Sequence, residues 1–115
     1  MLKITMEFRR GILFIRLKGK FVQSESMKFK KIVIDKIKEN GIRSVVFNIS
    51  ELKEIDLKGV HNLFYIYELC HQNQGKLLIC KMYDSKVFDK LKKKRLFQYV
   101  DLINGELDAF DTIKI

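Results

Sequence analysis

Ser44-Val45-Val46-Phe47-Asn48-Ile49 is an almost unbroken apolar run, and its reading decides the architecture. A strand with one wet face alternates apolar and polar residues, whereas a parallel strand covered on both faces reads as continuous hydrophobicity. This stretch is therefore predicted to be a central sheet strand with cover on either side. Upstream, Phe29, Ile32, Val33 and Ile37 recur at the spacing of one helical face. Ser24 is placed to cap that helix, Asn40-Gly41 to stop it, and Lys28, Lys31 and Lys38 are left facing water. Downstream, residues 50–54 read as a connector. Ile55-Asp56 then leads into a second helix that ends near Asn73, with Val60, Leu63, Phe64, Tyr67 and Cys70 as its buried stripe.

The same reading extends to both ends. Residues 4–8 and 12–17 flank Arg9-Arg10-Gly11 and predict an opening hairpin, followed by an extended Phe21-Val22-Gln23. Gly75 is expected to terminate the second helix, and residues 76–80 to form another buried strand. Asp84 or Ser85 can cap a helix carrying Val87, Phe88 and Leu91. A short strand over 99–103 and a short helix over 106–110 complete the pattern. Strands alternating with helices give the α/β class. No repeat or linker interrupts the 115 residues, so one domain spanning 1–115 is expected.

Composition narrows the function classes. Apolar residues make up 47% of the chain, but no apolar stretch approaches the roughly 20 residues of a membrane span. The start of the chain meets a charge before any signal-peptide core could form, so a cytoplasmic location with no membrane partner is expected. Cys70 and Cys80 lack metal or redox spacing and read as reduced, buried thiols. His61 and His71 complete no ligand set with them, so no metal is expected. The serines at 24, 26, 44, 50 and 85 sit in no nucleophile motif, and no phosphate-binding glycine loop occurs. Neither an enzyme nor a cofactor is indicated. The net charge of +9 is spread over nearly every segment, and its densest run is Lys90, Lys92, Lys93, Lys94 and Arg95.

From Met6 to Phe110 the order of elements and landmarks resembles the STAS domain of bacterial anti-sigma factor antagonists. The landmarks are the Gly11-to-Lys20 strand with its following glycine, the Ser44–Ile49 run, and Ile55-Asp56-Leu57-Lys58-Gly59-Val60, with Gly75 ahead of Leu77-Leu78-Ile79-Cys80. The resemblance implies a mixed sheet of four to five strands with helices packed mainly on one side. It also implies a non-enzymatic module of transcription regulation whose partner is an anti-sigma factor or a related kinase-like regulatory protein. Family members carry an Asp-Ser-Ser/Thr-Gly turn that this kinase phosphorylates. Here Leu57 and Lys58 occupy the hydroxyl positions, so the resemblance implies no phosphorylation site at the turn and constitutive binding.

The resemblance places partner contacts at Phe21, Val22, Asp56, Leu57, Lys58 and Gly59. Each has a plainer account. Asp56 is also a preferred helix cap, a role compatible with docking. Gly59 most simply permits close backbone packing, and Phe21 and Val22 are either an exposed apolar rim or core filling. Two other functions stay open: a scaffold subunit of a larger complex or homodimer, and a nucleic-acid or anionic-surface binder using residues 90–95. The scattered charge disfavours nucleic acid as the partner.

Overall fold

Arg10 and Gly11 both adopt positive φ, 51° and 82°, the backbone signature of a tight hairpin turn whose twist matches that of the strands. They join β1 (Leu2–Arg9) to β2 (Ile12–Phe21) in antiparallel register, with Arg9 opposite Ile12. The structure is a computed structural model that describes residues 1–82 and 85–113. After the hairpin come a composite helix α1 over residues 23–39, β3 (Ser44–Ile55), α2 (Leu57–Gln72) and β4 (Leu77–Cys80). The chain continues through α3 (Lys86–Lys93), β5 (Asp101–Ile103), a 3-10 turn (Glu106–Asp108) and α4 (Ala109–Thr112). Ser85 caps α3, its hydroxyl accepting the Phe88 N–H at 3.1 Å, while Asp84, the other expected cap, lies outside the described residues.

The five strands lie in the order β1-β2-β3-β4-β5, parallel from β2 onward. Crossovers between parallel strands are almost always right-handed. A strand order that never reverses therefore sends every crossover helix to the same face. Leu13, Ile15, Leu17, Val45, Phe47, Ile49, Leu77 and Ile79 point to that face and meet Phe29 and Val33 of α1, Val60, Leu63 and Ile66 of α2, and Leu91 of α3. The alternate residues Ile12, Phe14, Val46, Leu78, Cys80 and Ile103 point the other way, onto Ala109 and Ile113. Both faces of the central strands are thus apolar, which accounts for the unbroken runs at 44–49 and 77–80.

Several local expectations are corrected. β3 does not end at Ile49: residues 50–54 belong to the strand and are not a connector. Between Arg16↔Asn48 and Lys18↔Glu51, and again between Gly19↔Leu52 and Lys20↔Glu54, β3 carries one residue more than β2. These bulges reset the pleat, so the buried residues Ile49, Leu52 and Ile55 fall three apart and the alternation that marks a strand is lost. In α1 the stretch Lys30–Ile34 is a π-helical turn. The wider turn rotates Ile32 out to solvent and Ile34 into the core, unlike the face expected from 3.6-residue spacing. Ser24 makes no cap bond.

The stop after α2 also differs from expectation. Gln74, not Gly75, takes the left-handed conformation, with φ 61°. The Gly75 N–H donates to Cys70 O at 2.7 Å and the Gln74 N–H to His71 O at 3.1 Å, the paired bonds of a Schellman stop. Gly75 is needed for a different reason. A Cβ there would lie 1.7 Å from Arg43 O.

Candidate functional site

Asp56 is where the ends of β2 and β3 are tied to the starts of α1 and α2. Its backbone is extended, and its Oδ1 accepts the Gly59 N–H at 2.9 Å, capping α2. Its Oδ2 accepts the Gln23 N–H at 2.8 Å, at the start of α1. The Asp56 N–H in turn donates to Phe21 O at 3.2 Å. One carboxylate therefore satisfies an orphan donor at each of two helix starts, where the backbone carries partial positive charge. The closeness requires Gly59, since a Cβ there would lie 2.5 Å from Phe21 O and 2.7 Å from Ile55 Cγ1.

Of the expected contact residues, Phe21 is corrected. Its side chain is fully buried, its ring 4.5 Å from that of Phe29, and it fills the core beneath the turn without reaching the surface. An aromatic residue at a strand end is placed by the apolar space below it, and the sequence beside a loop does not reveal that space. Val22 is half-buried, Gly59 is buried, and Lys58 is exposed. Leu57 stands 52% exposed in the first turn of α2, so a large apolar side chain is offered to solvent at a fixed position.

Sequence reasoning missed three supporting features. Asn62, buried in α2, donates through Nδ2 to Ser26 Oγ and to Lys58 O, each at 3.0 Å, which fixes the two helix starts against each other. Met27, next to Ser26, is 71% exposed and adds a second apolar group on the α1 side. Lys90 Nζ donates to Ile55 O at 2.8 Å, so α3 is fastened immediately before the turn. The hydropathy pattern carried no signal for these, because each polar bond spans from about one helical turn to tens of residues in sequence.

A second polar cluster lies on the opposite sheet face. Glu106, from the 3-10 turn, accepts from Arg16 Nη2 at 2.7 Å, Arg16 Nε at 2.9 Å and Asn48 Nδ2 at 2.8 Å. Glu7 also accepts from Arg16 Nη2, at 3.2 Å. The Arg16 bond is the main reason the Glu106 carboxyl is held below the usual carboxylate range, and the same bond raises the Arg16 guanidinium. This fork clasps the C-terminal segment to the sheet.

Burial pushes the Cys70 thiol up to about 12 and, with help from Glu106 and Asp108, the Cys80 thiol up to about 11. Both are free and buried, as expected, and both stay protonated at neutral pH. Among the described residues no group of three His, Cys, Asp or Glu side chains is arranged to hold a metal ion. No helix among them is long and apolar enough to cross a membrane. The basic run 90–95 does not form one strip: Lys90 and Lys93 line a groove against β3, while Lys92, Lys94 and Arg95 do not.

A mixed five-stranded sheet with its crossover helices on one face, and a capped turn at the head of α2, defines a small α/β module whose fold matches known regulatory antagonists. Residues 3–110 match the STAS domain, and the chain belongs to that family. It is 24% identical over 114 residues to an anti-sigma F factor antagonist of Paenibacillus polymyxa, covering 99% of this chain and 97% of that one. The structure of a putative anti-sigma factor antagonist from Thermotoga maritima shares the fold at a TM-score of 0.86 and 15% identity, covering 96% of this chain and 93% of that one. The anti-sigma factor antagonist SpoIIAA in its unphosphorylated form matches at a TM-score of 0.74 and 15% identity, covering 96% of each chain.

Proposed function

We propose that this chain is a non-enzymatic binding module that docks an anti-sigma factor, or a related kinase-like regulator, through the Asp56 turn, and that its binding is not switched by phosphorylation there. The observation that carries the proposal is the exposed Leu57 on a turn held rigid by Asp56. A large apolar group at a fixed, capped helix start contributes contact area with little ordering cost on binding. Lys58 beside it favours an acidic patch on the partner. A phosphoryl group at the turn would add about two negative charges to the interface. Neither Leu57 nor Lys58 has a hydroxyl to carry one, so the docked state persists for as long as the partner is present.

The test is isothermal calorimetry between the purified chain and a purified kinase-type anti-sigma factor from the same organism, with ATP present and absent. The expected result is equal affinity in both conditions, with no gain in the mass of the chain, and a loss of about a hundredfold for Leu57→Glu, the scale of burying an unpaired charge in an interface. Affinity unchanged in Leu57→Glu, or a phosphorylated chain recovered after incubation with ATP, would overturn the reading.

A further inference from the structure

Beside the Asp56 turn, β3 and α3 enclose a groove of about 520 Å³. Lys53 enters it from β3, and Lys86, Lys90 and Lys93 enter from α3, where spacings of four and three place them on one helical face. Two acids, Glu54 and Asp89, line it as well. Glu54 already faces Lys20 at 3.9 Å, and among the described residues the ion pairs include none of Lys53, Lys86 or Lys93. Lys90 alone is engaged, through Ile55 O. Its bond links α3 to the end of β3 beside its three unpaired neighbours.

The position of Lys53 is itself informative. It is the extra residue at the second β3 bulge, between the pairs Gly19↔Leu52 and Lys20↔Glu54. A bulge re-aims a side chain that a regular strand would place elsewhere, and here the re-aimed side chain completes a four-lysine wall. The floor is apolar, formed by Ile55 and Val87. Its lining includes Ile55, the residue before Asp56, whereas Lys58 lines a separate groove between α1 and α2.

We propose that the groove seats an acidic segment of the protein partner, with carboxylates on the lysine wall and an apolar side chain on the floor; this deepens the docking reading and rests on it. Protein is favoured over nucleic acid because, among the described residues, the groove holds no arginine to fork a phosphate and no aromatic ring to stack a base, while its floor is apolar.

The probe is an end-blocked octapeptide alternating glutamate and leucine, titrated into the labelled full chain and followed by amide NMR shifts, with its glutamine counterpart as control. Shifts are expected at residues 53–55 and 86–93 for the glutamate peptide only, weakening steeply with salt. Lys86→Glu/Lys93→Glu should weaken it by about tenfold or more, while Lys31→Glu/Lys36→Glu, an equal charge change on α1, should leave it within about twofold. Equal binding of the glutamine peptide, equal weakening by the α1 pair, or tighter binding of an oligonucleotide of equal charge at the same amides would each sink the groove. With the anti-sigma factor, full affinity in Lys86→Glu/Lys93→Glu alongside loss in Leu57→Glu removes the groove and spares the docking turn. Loss in the lysine pair with Leu57→Glu unaffected supports the groove and removes the turn.

Discussion

Asp56 and Gln23, 33 residues apart in sequence, are joined by a 2.8 Å bond from the Gln23 N–H to the Asp56 carboxylate, whose other oxygen accepts from Gly59. The link makes the start of α1 and the start of α2 a single unit. An N-cap contributes about 1 kcal/mol, so Asp56→Ala should cost about 2 kcal/mol in urea unfolding. Asp56→Asn, which keeps one acceptor oxygen, should cost about half as much. Hydrogen exchange at the Gln23 amide should speed up in both variants. Protection there unchanged in Asp56→Ala would show that the inter-helix bond contributes nothing.

Gly59→Ala sets propensity against packing. Alanine is favoured over glycine inside a helix by about 1 kcal/mol. The added Cβ, however, would meet Phe21 O at 2.5 Å and Ile55 Cγ1 at 2.7 Å, and a backbone oxygen cannot swing aside as a side chain can. The sign should therefore be destabilising, by about 2 kcal/mol after the propensity gain, as overpacked sites show. A melting temperature at or above that of the parent would contradict the close approach.

How far the sequence could be read divides along physical lines. The runs at 44–49 and 77–80 were legible because they are almost wholly apolar, too short for a typical buried helix, rich in β-branched or aromatic residues at 45–49 and, at 77–80, preceded by Gly75. The half of β3 beyond Ile49 was not, since two bulges turn its period of two into a spacing of three. Ile32 and Ile34 exchanged roles because a π turn changes the angle per residue, and no residue in Lys30–Ile34 announces it. At the site, the Asp56 cap on Gly59 is a local i to i+3 relation and could be expected. The bond to Gln23, the Asn62–Ser26 contact and the burial of Phe21 depend on which segments the sheet brings together.

The Arg16–Glu106 fork predicts a pH dependence. The Glu106 carboxyl is depressed in the folded chain, chiefly by its bond from Arg16. Its stabilisation is therefore present above the usual glutamate value of about 4.3 and is lost as pH falls through the lower folded value. Glu106→Gln should cost about 1 kcal/mol at neutral pH, discounted for partial exposure, and the two chains should converge in acid. A constant gap from neutral pH to acid would rule out the fork as the source.

Gln74 carries a side chain at φ 61°, where residues other than glycine are disfavoured by roughly 1 kcal/mol. Gln74→Gly should stabilise the chain by about that amount, less the extra freedom of the unfolded glycine. The neighbouring Gly75→Ala should destabilise strongly, because its Cβ would collide with Arg43 O. If thermal melts rank the two variants in the opposite order, the stop after α2 is wrongly placed.

Leu57→Glu has to be harmless to folding for its effect on binding to carry meaning, and the local physics says that it is. Leu57 is about half exposed, so little apolar burial is forfeited. The new carboxylate would sit in the first turn of α2, where the helix dipole favours negative charge by about 0.3–1 kcal/mol. The neighbouring Asp56 carboxylate offsets part of this gain by repulsion. The net change in stability should fall within about 0.5 kcal/mol, as for surface substitutions generally. Circular dichroism melts of the two chains should overlay within a few degrees while calorimetry separates their affinities. A melt lowered well beyond that range would mean that Leu57 supports the fold, and the lost affinity could then no longer be assigned to a docking surface.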